Sequence, residues 1–194
     1  MDHPTCIHDD ENPGKHCREV KCDDCPFRPS NPVKLRGRVL YLDLDGVLAD
    51  FDKLAHEICG MAHHKFAFVY GDDVFWRRLN GFPNFFGSLD LMPDAAILYN
   101  AVRHLKPVIL TALPRDNTDR VAAEKAQWVY ENVDKEAKVI TCFTKDKPNY
   151  CQPGDVLIDD RAINQAMWRR RGGHFVIHTS AENSINQLIN LGVL

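Results

Sequence analysis

Five short apolar runs recur along the chain, separated by amphipathic stretches. The runs are VLYLD (39–43), PVILTAL (107–113), AKVITCF (137–143), DVLID (155–159) and HFVIHT (174–179). Continuous apolar runs of this length predict strands buried on both sides. Helical spacing fills the stretches between them. Pro93 and Asp94 open one that runs through AAILYNAVRHL, with the proline and the acid in the first turn, where the helix dipole favours them. TDRVAAEKAQWVYENV (118–133) predicts a second, with Ala122, Ala126, Val129 and Val133 sharing one face. RAINQAMWRRR predicts a third, stopped by Gly172 and Gly173, with arginines in its last turn. Thr179 and Glu182 fit a capping box for a fourth. The alternation predicts an α/β fold, a parallel sheet covered on both faces by helices with right-handed crossovers. Ligands of such sheets sit beyond the carboxyl ends of the strands.

Two segments depart from the alternation. Residues 52–90 begin with the helical DKLAHEICG and continue into KFAFVYGDDVFWRRLNGFPNFFGSLDL, which is rich in aromatics and reads as helical or irregular. An insertion directly after the first strand is expected to stand over the strand ends as a small helical lid. His56, His63 and His64 have no evident partners there and are expected at the lid surface. Residues 1–36 hold cysteines, histidines and prolines but no periodic apolar pattern. The expected organisation is therefore a Cys/His-rich segment at 1–36 and an α/β domain at 37–194 with its lid at about 52–90.

Composition narrows the class. With 194 residues, 44% apolar and 26% charged, the chain is expected to be an ordinary globular protein of one domain, or of one domain with an appendage. A chain of this size buries roughly 70% of its unfolded surface, which excludes a mostly disordered protein, a collagen-like fibre and a small disulfide scaffold. No apolar run approaches the ~18 residues a membrane span needs. The start MDHPTCIHDD is acidic where a secretory signal is basic and then apolar, so a cytoplasmic location is expected. A net charge of −3 gives no general attraction to nucleic acid, and any phosphate must be held by a local site.

Seven cysteines, four of them in the first 25 residues, point to metal before disulfides in a reducing compartment. Cys22 and Cys25 form a C-x₂-C pair, and Cys6 and Cys17 could complete one tetrahedral, structural Zn²⁺ site. Free thiols are the competing reading. Cys59, Cys142 and Cys151 read as packing residues.

The strand ends carry the chemistry. DLDGVLADF places Asp43 and Asp45 two apart, with Gly46 allowing a sharp turn. The second strand ends at Thr111, Lys145 and Lys147 follow the third, and Asp159 and Asp160 end the fourth. A carboxylate can attack phosphorus to form an aspartyl-phosphate, splitting one difficult hydrolysis into two displacements. Clustered carboxylates repel one another unless a cation sits among them, and Mg²⁺ suits an all-oxygen site. A lysine and a hydroxyl would balance charge on the transferring phosphoryl group.

DLDGVLADF, ILTALP, DKP and LIDD, in that order, resemble the haloacid dehalogenase superfamily of aspartate-nucleophile phosphatases, and within it most nearly the 5′(3′)-deoxyribonucleotidase family. VFW (74–76), LMPDA (91–95), EKAQWV (124–129) and TKDKPN (144–149) are also similar to stretches of that family. The resemblance covers about residues 38–180 and implies a Rossmann-like fold with a small cap after the first strand. It implies Asp43 as nucleophile and metal ligand, and Asp45 as general acid/base with its carbonyl on Mg²⁺. Thr111 and the Ala112 amide would grip phosphate, Lys147 is the motif lysine with Lys145 its competitor, and Asp159 and Asp160 complete the metal shell. Phe51, Phe75 and Trp76 match an aromatic pocket for a nucleobase. Three features depart from the family: a shorter lid, alanine in ILTALP where serine is common, and the cysteine segment.

The expected function is hydrolysis of a small phosphorylated metabolite, a nucleoside monophosphate first, by an Mg²⁺-dependent phosphatase. The alternatives are a phosphatase for a polynucleotide end, disfavoured by the charge, or for another small phosphate, and a zinc-binding module on an inactive phosphatase scaffold. Oligomeric state is not readable from the chain.

Overall fold

A computed structural model describes residues 37–194. Cys6, Cys17, Cys22 and Cys25, the expected zinc ligands, lie outside the described residues. All five apolar runs form strands: β1 (Leu40–Leu42), β2 (Val108–Ala112), β3 (Val139–Cys142), β4 (Val156–Asp159) and β5 (His174–Ile177). They make one parallel sheet in the order β3-β2-β1-β4-β5. Leu42 of β1 lies level with Ile109 of β2 and Ile158 of β4. The chain builds the sheet outward from β1 to one side, then returns to its other side, so the switch in strand order falls between β1 and β4. In open α/β sheets this is where ligand crevices form.

The strand period of two divides the buried residues. Leu40, Leu42, Ile109, Val156 and Ile158 enter the main core, while Tyr41, Leu110 and Leu157 pack with Trp168 and Phe175 in a second cluster. Apolar residues on both faces are why these runs show no polar alternation.

After β1 the chain makes a lid of three helices, α1 (Phe51–Cys59), α2 (His63–Tyr70) and α3 (Asp72–Asn80), followed by a 3₁₀ turn at Phe86–Ser88. The Asp50 carboxylate accepts from the Lys53 N–H at 3.0 Å and caps α1, and Gly60, at φ 73°, ends it. Phe66, Phe75, Leu79, Phe85 and Phe86 are all buried in the lid.

The remaining helices are α4 (Ala95–Val102), α5 (Thr118–Asn132), α6 (Gln165–Arg170) and α7 (Ala181–Asn190). Three details differ from expectation. First, α5 buries Val121, Lys125, Trp128 and Val129, whereas Ala126 is exposed. The small alanines proved less decisive than Trp128 and an internally paired lysine. Second, α7 is capped one residue later than the Thr179 box: Ser180 Oγ accepts from Asn183 N–H at 3.1 Å. Asp94, at the start of α4, reaches across to accept from the Ala181 N–H at 2.5 Å, so two acceptors from different elements satisfy the first turn. Third, the segment before α6 is a 3₁₀ turn at Ala162–Asn164, which shortens the expected helix. Among the described residues no helix is long and apolar enough to cross a membrane.

Candidate active site

Chain direction puts the carboxyl ends of β1, β2 and β4 at one edge of the sheet, and the residues singled out in sequence meet there. Asp43 follows β1 and its N–H donates to the Ile158 carbonyl at 2.8 Å, which ties it to β4. The Asp43 side chain is buried, and its Oδ1 accepts from the Leu44 N–H at 2.8 Å. Lys147 Nζ stands 2.7 Å from Asp43 Oδ2 and 2.7 Å from Asp159 Oδ2, with the lysine wholly buried. Asp159 Oδ1 also accepts from the Arg161 N–H at 2.9 Å. The neighbouring Lys145 is exposed, so of these two lysines it is Lys147 that joins the acid cluster.

Asp43, Asp159 and Asp160 can each offer a carboxylate oxygen, all within 4.8 Å of one another. Burial, with Asp43 and Asp159 adding negative charge, pushes the Asp160 carboxyl up to about 7. Burial and then Asp43 also push Asp159 upward, against the pull of Lys147. Burial by itself would lower Lys147, but the attraction of Asp43 and Asp159 outweighs it and raises the ammonium above its ordinary value. Three acids thus stand together, and two of them, Asp43 and Asp159, share one lysine. A hard divalent cation with oxygen preference fits this donor set, because it would relieve the repulsion that holds Asp160 high. Gly46, at φ 76°, makes room for the arrangement: a Cβ there would lie 2.5 Å from Asp160 Oδ2.

Asp45 and Thr111 meet through a residue not singled out in sequence. Lys125 of α5 donates to Asp45 Oδ2 at 2.5 Å, to Thr111 Oγ1 at 2.9 Å and to the Ala112 carbonyl at 2.8 Å. Its place in EKAQWV was visible, but a lysine amid helical polar residues reads as solvated; Trp128 three positions on was the available signal for the buried face.

The aromatic residues divide. Phe51 is the hub of the lid cluster, with ring centroids 5.4 Å from Phe85 and 5.7 Å from His63. Phe75 is only 4% exposed and packs against Phe66 and Trp76, so its ring serves the lid core. Trp76 instead helps line a cleft of about 640 Å³ between α3 and the loop after β2, together with Arg77, Asn80, Arg115 and Asn117. His63 departs from the bare lid surface expected of it, since its Nδ1 lies 2.8 Å from Asp52 Oδ1. Cys59 and Cys151 are buried and Cys142 half-buried, all unbridged, as packing residues should be.

Comparison with known proteins bears on this geometry. Residues 37–188 match the family model described as 5′ nucleotidase, deoxy (pyrimidine), cytosolic type C protein (NT5C). No curated protein sequence gives a significant match. Among solved structures, a hydrolase from Streptococcus pneumoniae TIGR4 is similar at 14% identity with a TM-score of 0.44, covering 79% of this chain and 98% of its own. A HAD hydrolase, family IA, variant 3, from Entamoeba histolytica HM-1:IMSS is similar at 14% identity with a TM-score of 0.40, covering 78% of this chain and 88% of its own. The family match takes in β1 through most of α7, and with them every strand-end residue described above. The chain accordingly belongs to this nucleotidase family of haloacid dehalogenase-like phosphatases, and it is an enzyme.

Proposed function

We propose that the protein is a Mg²⁺-dependent phosphomonoesterase that hydrolyses a nucleoside monophosphate through an aspartyl-phosphate on Asp43. The observation that carries this reading is the cluster of Asp43, Asp159 and Asp160 at the switch between β1 and β4, with Asp43 and Asp159 both on the buried Lys147. The side chains of Asp43, Asp159 and Asp160 and the Asp45 carbonyl would hold Mg²⁺, which when bound offsets negative charge on the phosphoryl oxygens.

In the first half-reaction an Asp43 carboxylate oxygen bonds to phosphorus as the ester P–O bond breaks. Asp45 gives the leaving oxygen a proton. In the second half a water oxygen bonds to phosphorus, Asp45 takes a proton from it, and the bond to Asp43 breaks to release phosphate. Lys147 pairs with Asp43 throughout and steadies the charge that moves onto the phosphoryl oxygens. Thr111 and the Ala112 N–H sit at the β2 end, where the phosphate oxygens would be gripped. The cleft beside Trp76 sets an indole among polar and charged neighbours of both signs, Asp72, Asp73 and Asp116 with Arg77 and Arg115, and we assign it to the nucleobase on the ability of an indole to stack.

The test is phosphate release from a panel of nucleoside 5′- and 3′-monophosphates, with Mg²⁺ and with EDTA. Turnover should need Mg²⁺ and should disappear in Asp43→Asn, whose amide keeps the shape but loses the nucleophile. Turnover in the chelated enzyme, or near wild-type rates in Asp43→Asn, would refute the proposed mechanism.

A further inference from the structure

The mechanism above leaves the buried ammonium of Lys125 without a task. Lys125 is 0% exposed, and its three ammonium hydrogens match three acceptors: Asp45 Oδ2, Thr111 Oγ1 and the Ala112 carbonyl. The charge also lies 4.6 Å from the centre of the Phe86 ring. Burying a lysine is costly, and its charge and all three of its hydrogens need partners. The contact that says more is the hydroxyl. An ammonium can only donate, so Thr111 Oγ1 is the acceptor in that bond, and the hydroxyl's own hydrogen must go to another partner. At the end of β2 the partner that arrives is a phosphate oxygen.

Asp45 is divided in a similar way. Its Oδ2 is taken by Lys125, while its Oδ1 is buried with no hydrogen-bond partner. A buried carboxylate oxygen left open beside one that is pinned is the atom that can carry a proton. Lys125 is itself held from the lid side. The neighbouring Glu124 Oε2 accepts from the Phe86 N–H at 3.2 Å, and Trp128 Nε1 donates to the Leu89 carbonyl at 2.7 Å.

Resting on the reading of Asp45 as acid and Thr111 as phosphate grip, we propose that Lys125 is a positioning residue that acts through both: it pins Asp45 by Oδ2 so that Oδ1 delivers the proton to the leaving oxygen, and it turns the Thr111 hydroxyl into a donor to phosphate. As Asp43 bonds to phosphorus, the ester bond's electron pair passes to the leaving oxygen, and the proton on Oδ1 passes with it. The attacking water later returns a proton to Oδ1.

Leaving groups separate this role from a structural one. The p-nitrophenolate of p-nitrophenyl phosphate departs without a proton, whereas a nucleoside leaving from its 5′-monophosphate needs one. Because kcat/KM reports the steps up to that departure, its ratio between the two substrates isolates the acid. In the full-length protein with Mg²⁺, Lys125→Met should lower kcat/KM for the nucleotide about 10–100-fold more than for p-nitrophenyl phosphate, within the range of a general acid. Loss of the Thr111 donor should lower both equally. In an Asp45→Asn background the same substitution should leave the ratio unchanged within about threefold, since groups that act as a unit are not additive. If Asp45→Asn shifts the ratio but Lys125→Met does not, Lys125 is a strut and the proposal is overturned while the acid stands. If Asp45→Asn leaves the ratio alone, or the wild type turns over neither ester, the reading of Asp45 falls and the proposal with it. Melting curves establish that each variant is folded; should Lys125→Met fail to fold, Lys125→Gln, which keeps a donor, is read by the same ratio.

Discussion

Removing the lysine that the acids share is the sharpest perturbation the structure offers. In Lys147→Met the side chain keeps its unbranched stem but loses the ammonium and its charge. Asp43 and Asp159, each 2.7 Å from Nζ and at most 3% exposed, would lose their one cationic partner among the described residues. Water cannot replace it at that exposure. Breaking a buried pair by removing one partner costs about 3–5 kcal/mol, much of it the penalty of leaving the other charge unpaired. Asp160 already holds its proton up to about pH 7, which spares it part of the repulsion and argues for the lower half of that range. For a domain of this size each kcal/mol moves Tm by about 2–4 °C, so the variant should melt roughly 6–16 °C below wild type in EDTA. Mg²⁺ should raise its Tm more than it raises that of wild type, because the cation then meets charge that no lysine offsets. Thermal melts followed by circular dichroism, with and without Mg²⁺, measure both effects. Lys145→Met is the control: two residues away and exposed, it should change stability by less than about 0.5 kcal/mol. Equal Tm values for the two variants would refute the argument that the buried ion cluster needs Lys147.

Three further outcomes are expected. Trp76→Ala should raise KM for nucleotides by the equivalent of about 1–3 kcal/mol and leave p-nitrophenyl phosphate nearly unaffected, as measured by steady-state kinetics; equal effects would assign the ring to lid packing. His178 is buried with its Nδ1 2.8 Å from Ser184 Oγ, and burial lowers its pKa below 6.5 despite the pull of Asp94. The folded state therefore takes up that proton less readily than the unfolded chain, so the stability is fully present above pH 6.5 and is lost as pH falls through the lower folded value. His178→Gln should flatten this part of the pH dependence of Tm between about pH 7 and 5, and an unchanged slope would remove His178 from the explanation. Elemental analysis of protein prepared under reducing conditions should find about one zinc per chain if Cys6, Cys17, Cys22 and Cys25 form a closed site, and metal-free protein would favour free thiols.

The sheet was legible because its cause is local. VLYLD, PVILTAL and DVLID are apolar at successive positions, and only a strand covered on both faces buries such a run. Once strands are parallel, the chain itself delivers Asp43, Thr111 and Asp159 to the same edge, so the acids are legible in the sequence. Long-range pairing is what no local pattern contains. Lys125 reads as solvated until Asp45, 80 positions earlier, is brought within hydrogen-bond reach. Lys145 and Lys147 look equivalent two apart in TKDKPN, and the 3₁₀ turn at Thr144–Tyr150 leaves one exposed and buries the other between two carboxylates. Phe75 and Trp76 are adjacent in VFW, yet one ring enters the lid core and the other borders the cleft, because neighbouring side chains on a helix point about 100° apart. Sequence determined which groups stand at the strand ends. The tertiary structure decided which of the charged and aromatic residues are buried, because the burial of a charge depends on partners that only the fold brings together.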